Sequence, residues 1–496
     1  MEWETKIMKL KVLLKDLPEV QLKGSKEQEI TGITSNSKLV APGCLFVAKK
    51  GRQVDGSTFI PEAISSGAVA VLTDIYDPSL KAVTQLIHPD VVTYEAKLAA
   101  SYYEHPSKEL WTVGVTGTNG KTTTTFAIKH LLDASLVPTG LIGTIEYVVG
   151  PRRYIASRTT PDVCANHKLL REMVTGGCRA CVMEVTSHAL DQGRVAEVEF
   201  DVAVFANFSH EHLDYHKTMD EYFKAKAKLF QNLKSRSVSL LNADDPWVMQ
   251  CKHLTASSVM TFGINEHADL MAKDIRFDPT GTHFTIEYAQ QEMAFYWPLV
   301  GRFNVYNALS AIGVGIIKGY RLDEIATRLA SFRSAPGRLE SIDNPLGLQI
   351  YVDYAHKPEA LRNVLETLKE LARGRIITVF GCGGDRDRDK RALMAEVSEE
   401  FSDITVVTSD NPRSEDPQTI IREIESGFAN PEKYVVEADR KKAINLAINR
   451  AEPNDIILIA GKGHEAQQVF ASHSIDFDDR LVAKECIDEL YLSSTR

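Results

Sequence analysis

No apolar run in this 496-residue chain is long enough to cross a bilayer, which takes about 20 residues. The opening stretch from Met1 to Lys11 is broken by charge throughout and does not read as a signal peptide. Positive charge is not in excess either. The net charge is −10, so a nucleic-acid surface, which needs clustered cations, is not expected, and attraction to anionic lipid is disfavoured. Cysteine is sparse: seven residues, an odd number scattered along the chain, fit free thiols in a reducing compartment better than a disulfide framework. Cys178-Arg-Ala-Cys181 has no second pair to complete a metal site and enters an apolar run, so two buried thiols are expected there. Internal repeats and low-complexity segments are missing. These absences point to a cytoplasmic globular protein with neither nucleic acid nor membrane as partner, and its length excludes a single core.

What the chain does contain is a series of short apolar runs alternating with helical patterns. They are Trp111–Val115, Cys181–Val185, Val202–Ala206, Val238–Leu241, Ile376–Phe380, Ile404–Val407 and Ile456–Ala460. Runs of this length, rich in Val and Ile, read as buried parallel strands of α/β domains. Ligands of such sheets lie beyond the carboxyl ends of the strands. Thr116–Thr124, Thr186–Ser187, Asn207–His212, Gly381–Asp385, Ser409–Arg413 and Gly461–Glu465 all fall there. His105-Pro-Ser107 and Ser334-Ala-Pro-Gly337 punctuate the chain and predict three domains, 1–108, 109–335 and 336–496.

The most specific segment is Thr116-Gly-Thr-Asn-Gly-Lys-Thr122, a glycine-rich turn between an apolar run and a helix. Gly117 and Gly120 let the backbone aim several N–H groups at one phosphate, and Thr118, Asn119 and Thr123 are expected among the nucleotide-binding residues. The helix N-terminus adds its positive end, Lys121 a point charge, and Thr122 a hydroxyl for Mg²⁺. Val115 stands where a strict phosphate loop has its first glycine, so this is a narrower signature for ATP. Glu184 at a strand end and His212 in a later loop supply a carboxylate and an imidazole that could hold Mg²⁺ beside Thr122. His210 and His216 read as helix-start or surface residues. At about 100° per residue, Tyr222, Ala225, Leu229 and Phe230 form one apolar stripe with Lys226 in its middle, while Lys224 and Lys228 face the other way. Burial favours a neutral amine, and a neutral amine can take up CO₂ as a carbamate.

Taken in order, Thr116–Thr122, Glu184–His188, Asn207–Asp214, Ala225–Phe230, Asn242–Pro246, Gly301–Asn307, Ala335–Glu340, Val352–His356, Gly381–Arg386, Asp410–Arg413 and Gly461–Glu465 form a series. Through it the chain resembles the Mur ligases of peptidoglycan synthesis over essentially its whole length. The resemblance implies a three-domain α/β fold, with a central P-loop ATPase domain on a mostly parallel sheet and a C-terminal Rossmann-like domain. It implies that Lys121 binds the β- and γ-phosphates, that Glu184 and His212 bind Mg²⁺, and that Lys226 carries a carbamate serving a second Mg²⁺. It puts Asn304 and Asn307 by the adenine, and Arg338, Asp353 and His356 on the nucleotide. On their own these asparagines read as helix caps and Arg338 as a surface or interdomain charge.

For a nucleotide-sugar substrate the resemblance implies Ser37, Thr159, Thr160, Thr186, Gln192 and Arg194. One departure stands out: the family's Asp-Ser-Arg triplet is Asn36-Ser-Lys38 here, and lysine has no bidentate fork. Specificity for the incoming amino acid has a physical argument. Asp410-Asn-Pro-Arg413 follows a strand, so Arg413 faces the ligand crevice and suits a substrate ending in a carboxylate. Meso-diaminopimelate ends in a second amino-acid head, whereas lysine ends in a lone ammonium that would face the arginine unfavourably. Glu465, in the segment that begins at Gly461, could take the distal ammonium, and Arg386 a carboxylate. The expected reaction joins meso-diaminopimelate to UDP-N-acetylmuramoyl-L-alanyl-D-glutamate through an acyl phosphate, on a monomer. Its rivals are lysine addition, a folylpolyglutamate-type ligation, and a nucleotide-binding regulator that has lost catalysis.

Overall fold

The computed structural model describes residues 6–494 apart from 16, 18, 52 and 53, so the first five residues of the charged N-terminal stretch lie outside it. The chain folds into two compact units. One comprises Met1–Met271 with Leu309–Ile325, the other Ala272–Ala308 with Ala326–Arg496. Among the described residues no helix is long and apolar enough to cross a membrane. All seven cysteines are free and buried, Cys178 and Cys181 included.

In the first unit a five-stranded sheet runs in the order Gln21–Lys23, Thr84–Ile87, Ala70–Thr73, Cys44–Val47, Gly32–Thr34, parallel except at its first pair. The helix Val91–Tyr102 gives its core Tyr94, Leu98 and Tyr102, against Ile33, Leu45, Leu72 and Leu86 of the strands.

The second sheet of this unit places Ala180–Glu184, Trp111–Thr116, Val202–Phe205, Val238–Asn242 and Ser258–Gly263 side by side, all parallel. An antiparallel hairpin, Glu146–Val149 and Arg152–Ile155, extends it through Thr139–Ile142. The register pairs Val182 with Val113, Val113 with Val202, and Val204 with Leu240. Both faces are covered, which is why these strands read as continuous apolar runs. The second run starts one residue earlier than its composition suggests, at Ala180, because Ala180 pairs with Trp111 and Thr139. Parallel direction brings the carboxyl ends at Thr116, Glu184, Phe205 and Asn242 to one edge.

In the second unit a six-stranded sheet has the order Glu340–Ser341, Gln349–Asp353, Ile456–Ala460, Ile376–Phe380, Ile404–Val407, Tyr434–Val436, antiparallel only at its first pair. Alternate residues of the same strands feed two cores. Ile376, Phe380, Ile456 and Leu458 pack with the helices Pro358–Leu371, Lys390–Phe401 and Pro417–Glu425. Ile377, Val379, Ile457 and Ile459 pack with Arg440–Arg450 and Asp479–Ser494. This is a doubly wound sheet, and the strand order reverses beside Ile376–Phe380, where ligand crevices form.

Candidate active site

The loop after Trp111–Thr116 turns directly into the helix Lys121–Ala134. Gly120 occupies the N-cap with φ 80°, a conformation that costs glycine little and a residue with a Cβ much more. The loop is stapled to the end of the neighbouring strand. The Thr118 N–H donates to the Asn207 carbonyl at 3.0 Å, and the Asn119 N–H to Asn207 Oδ1 at 2.8 Å. Asn207 Nδ2 returns a bond to the Asn119 carbonyl at 3.0 Å. Lys121 Nζ donates to the carbonyls of Gly117 (2.9 Å) and Thr118 (2.8 Å). Lys226 Nζ reaches the same Gly117 carbonyl at 2.7 Å.

Lys226 lies on the helix Met219–Gln231, capped by Thr218. Tyr222, Ala225, Leu229 and Phe230 are buried as the apolar stripe predicts, and Lys224 is exposed. The buried face is wider than that stripe, because Phe223 and Ala227 also face the core, and Lys228 is half-buried on Asp191. Lys226 itself is 1% exposed, with its ammonium 4.9 Å from the Tyr222 ring centre. Burial, helped by the charge of Lys121, holds its amine well below the ordinary lysine range.

Glu184 is fully buried at the end of its strand. Its carboxylate accepts from Thr122 Oγ1 (3.1 Å), from the Thr144 N–H (2.8 Å) and from Thr144 Oγ1 (3.0 Å). Thr144, absent from the sequence reading, is the residue that orients it. The only sequence signal is its place two residues after the strand Thr139–Ile142. A buried carboxylate beside hydroxyl oxygens, with no cationic side chain paired to it among the described residues, is the hard oxygen donor set that suits Mg²⁺. His212 has φ 57° at the start of the short helix Leu213–His216, and its ring lies 4.8 Å from that of His188. His216 is not a surface residue. It is buried, with Nε2 3.0 Å from Ser187 Oγ, because the turn at His212 folds it under the helix Ser187–Asp191. His210 is exposed as expected.

Five of the six residues implied for the nucleotide sugar form one cluster. Thr160 Oγ1 donates to the Glu184 carbonyl at 2.7 Å and lies 3.3 Å from Thr186 Oγ1. Arg194 donates from Nη1 to the Thr160 carbonyl at 3.1 Å and holds Gln192 Oε1 at 3.0 and 2.6 Å. Thr159 joins through Thr144, hydroxyl to hydroxyl at 3.1 Å. Ser37, half-buried at the start of a 3₁₀ turn, has no contact with this cluster among the bonds described. Asn36 Oδ1 caps that turn on the Lys38 N–H at 3.0 Å, so asparagine keeps the capping role an aspartate would have, while Lys38 is exposed.

The second unit carries the remaining residues. Asn304 and Asn307 are buried on the helix Arg302–Ile317, Asn304 donating to the Val300 carbonyl and Asn307 to Asn304 Oδ1. Arg338 is half-buried, and its guanidinium lies 4.8 Å over the ring of Tyr354. Gly337 before it has φ 65°, and a Cβ there would stand 2.1 Å from the Gly463 carbonyl carbon, so the two glycine turns cross in contact. Asp353 accepts from the Leu339 N–H (2.6 Å) and the Ala355 N–H (2.7 Å), one on each oxygen.

His356 and His464 flank Tyr354, with ring centres 4.5 and 5.0 Å away. Burial pushes each histidine down to about 4. Neutral in the fold but near 6.5 when unfolded, they make the unfolded chain bind more protons between about pH 4 and pH 6.5. Stability therefore rises with pH across that window and is lost as pH falls through it. The urea midpoint is expected to drop between about pH 7 and pH 5, and His464→Gln to flatten the drop. An unchanged slope in that variant would exclude His464 as a source.

At the carboxyl edge of this sheet Asp410, Asn411 and Pro412 are buried. Arg413 has φ 52°, and its N–H donates to the Val469 carbonyl at 3.0 Å, while Nη1 donates to the Gly384 carbonyl at 2.8 Å. A Cβ on Gly383 would come 2.8 Å from that Nη1. Asn411 Nδ2 donates to Glu465 Oε2 at 2.7 Å, and a Cβ on Gly461 would come 2.8 Å from Asp410 Oδ2. Arg386 is exposed, with Nη1 on the Asp385 carbonyl. Lys462, missed in the sequence reading although it lies inside the Gly461–Glu465 segment, is fully buried and donates to Asn411 Oδ1 and the Gln467 carbonyl.

A glycine-rich loop with two lysines on its Gly117 carbonyl, and a second cluster mixing arginine with carboxylates, are the parts of an ATP-driven condensation. Sequence profiles agree. The Mur ligase middle domain matches residues 115–315, the Mur ligase family catalytic domain 29–103, and the glutamate ligase domain of Mur ligases 337–463. The UDP-N-acetylmuramoyl-L-alanyl-D-glutamate–2,6-diaminopimelate ligase of Geobacillus thermodenitrificans is 42% identical over 97% of this chain and 100% of its own. The chain belongs to the Mur ligase family. The enzyme of the same name from Chlamydia felis is 45% identical over 92% of this chain and 94% of its own. A solved structure of a ligase of that name is 30% identical, with a TM-score of 0.73, covering 98% of this chain and 100% of the other. Folylpolyglutamate synthase from Mycobacterium tuberculosis, solved with ADP and AMPPCP, shares the fold at a TM-score of 0.62 and 19% identity, over 74% of this chain and 92% of its own. As a Mur ligase the protein is an ATP-dependent amide ligase acting on small molecules.

Proposed function

We propose that this Mur ligase joins meso-diaminopimelate to UDP-N-acetylmuramoyl-L-alanyl-D-glutamate, as a cytoplasmic monomer with neither nucleic acid nor membrane as partner. The observation that carries the reading is the charge arrangement at the carboxyl edge of the second unit's sheet, where Arg413 and Arg386 both border Gly383 and Glu465 is bonded to Asn411, whose carbonyl Arg413 Nη1 reaches at 3.5 Å. It suits a substrate whose far end holds both a carboxylate and an ammonium. Relatives named for that reaction support it across nearly the full length. In this reading the chain divides into domains 1–108, 109–335 and 336–496, and Ser37, Thr159, Thr160, Thr186, Gln192 and Arg194 bind the nucleotide sugar.

In the reaction the D-glutamyl γ-carboxylate oxygen attacks the γ-phosphorus of ATP. The bond from that phosphorus to the β,γ-bridging oxygen breaks, ADP leaves with the electron pair, and an acyl phosphate forms. The amine of diaminopimelate then attacks the acyl carbon, the bond to the phosphate oxygen breaks, phosphate leaves, and the nitrogen loses a proton to a base. Lys121 neutralises charge on the transferring phosphoryl group, and the N-terminal end of the helix Lys121–Ala134 orients it, since the Thr118 and Asn119 N–H groups are taken up by Asn207. Asp353 is a poor base because both its oxygens hold backbone N–H groups. His356, pushed down to about 4, is a weak one.

Mg²⁺ would be held by Thr122, Glu184 and His212, and would supply charge neutralisation at the phosphates. The fit of a carbamate to Lys226 follows from the pair of amines on Gly117. A neutral Nζ bonds the carbon of CO₂ and releases a proton, so that a negative carbamate would face the Lys121 ammonium in place of an uncharged amine. The carbamate oxygens would then serve a second Mg²⁺.

The test is product mass after incubation with ATP, Mg²⁺, bicarbonate, the UDP-dipeptide and competing amino acids. A tripeptide containing diaminopimelate in preference to lysine is expected. A lysine product would overturn the amino-acid assignment, and ATP binding without any product would favour the regulator. Failure to bind the UDP substrate would favour a folylpolyglutamate-type ligase.

A further inference from the structure

Arg440 opens the helix Arg440–Arg450 and is among the largest fully buried side chains of the protein. Its Nε and Nη2 bind Asp479 Oδ1 and Oδ2 at 2.7 and 2.8 Å, and Asp479 is itself 0% exposed. That pair satisfies the charge and leaves donors to spare. Nη2 also donates to the Ala460 carbonyl at 2.9 Å, and Nη1 to the Ser409 carbonyl at 3.4 Å. These carbonyls are the last before Asp410–Arg413 and Gly461–Glu465. They belong to strand ends that are not neighbours, since Ile376–Phe380 lies between Ile404–Val407 and Ile456–Ala460.

The middle strand gives way at this point. Gly381 has no room for a Cβ, which would meet the Thr408 carbonyl oxygen at 2.2 Å. The two outer ends therefore approach each other over it, until Asp410 Oδ2 would lie 2.8 Å from a Cβ on Gly461. A buried guanidinium with fixed fork geometry bridges the gap. Gln468 Nε2 on the Asp410 carbonyl, at 2.7 Å, ties the two loops a second time.

We infer that Arg440 is a positioning residue for the incoming amino acid, holding the Ser409 and Ala460 carbonyls so that Arg413 and Glu465 keep the spacing of that substrate's two charged ends. The inference rests on the assignment of these two loops to the amino acid. Arg440 touches no substrate itself. Its effect is on the distance between two recognition loops, so it should govern binding of one substrate and not of the other two.

Removing Arg440 alone would strand the Asp479 charge in the core and unfold much of the protein. The test variant is therefore Arg440→Met with Asp479→Leu, an apolar pair of similar volume that a core accepts. Its Tm should stay within about 4 °C of the wild type. The KM for ATP and for the UDP substrate should stay within about twofold, while KM for meso-diaminopimelate rises at least about tenfold. Arg440→Lys, which keeps the charge but not the fork, should fall between. Amide exchange should quicken at 409–413 and 460–465 and stay unchanged at 116–122. A folded double variant with unaltered amino-acid KM overturns the inference alone, as does a parallel rise of all three KM values. A wild type that makes no diaminopimelate product overturns the assignment of the loops and this inference with it.

Discussion

Lys226→Met is expected to lower turnover by roughly 10²–10³-fold while leaving the protein folded and nucleotide binding nearly intact. Methionine matches the volume of the lysine stem, so the core around Tyr222, Leu229 and Phe230 keeps its packing. What is lost is the one nitrogen that a buried, depressed amine offers to CO₂ next to the Lys121 charge. A plain structural lysine would behave differently: replacing a neutral buried amine by a thioether would leave turnover within about tenfold. Steady-state rates, thermal melts and nucleotide titration separate the two cases. Labelled bicarbonate followed by NMR on the wild type should show a carbamate signal that the variant lacks. Full turnover in a folded Lys226→Met protein would exclude the carbamate.

Arg413→Ala should reduce kcat/KM for meso-diaminopimelate by about 10²–10⁴-fold, since two charge-assisted hydrogen bonds to that substrate at about 1.5–3 kcal/mol each would be lost. The backbone at φ 52° is held by the Val469 carbonyl, and Nη1 is committed to Gly384, so the guanidinium is presented in one orientation. Discrimination against lysine should shrink more than overall binding of ATP, because the cation that repels a terminal ammonium is gone. Arg413→Lys restores charge without the fork and should recover only part of the loss. Rates with the two amino acids in competition are the check. Equal losses for diaminopimelate and lysine would show that Arg413 supports the loop and does not select the substrate.

Much of the site was legible in the sequence because its parts are local. The phosphate loop, the strand ends and the position of Lys226 on an apolar stripe each depend on residues within one or two turns of each other. Period and spacing alone carry that information. Helix Met219–Gln231 shows the limit of the same reasoning. Its stripe was readable, but the extra burial of Phe223 and Ala227 comes from partners such as Phe205, which the helix does not encode. His216 escaped for the same reason, since a polar residue four positions after His212 reads as surface until a left-handed turn tucks it against Ser187.

The sequence by itself determined the α/β class, the order of strands along the chain, the glycine-rich loop and most of the candidate residues, though not Thr144 or Lys462. Hydrophobic period and turn chemistry act over a few residues, and they survive without knowledge of the fold. Only the tertiary structure decided who holds whom. Thr144 on Glu184, Lys121 and Lys226 sharing the Gly117 carbonyl, and Arg440 spanning the ends of two non-adjacent strands all join residues far apart in the chain. Such bonds are set by sheet order and by the glycines that permit close approach. The strands themselves, nearly uniform in Val and Ile, carry no mark of which neighbour each will take.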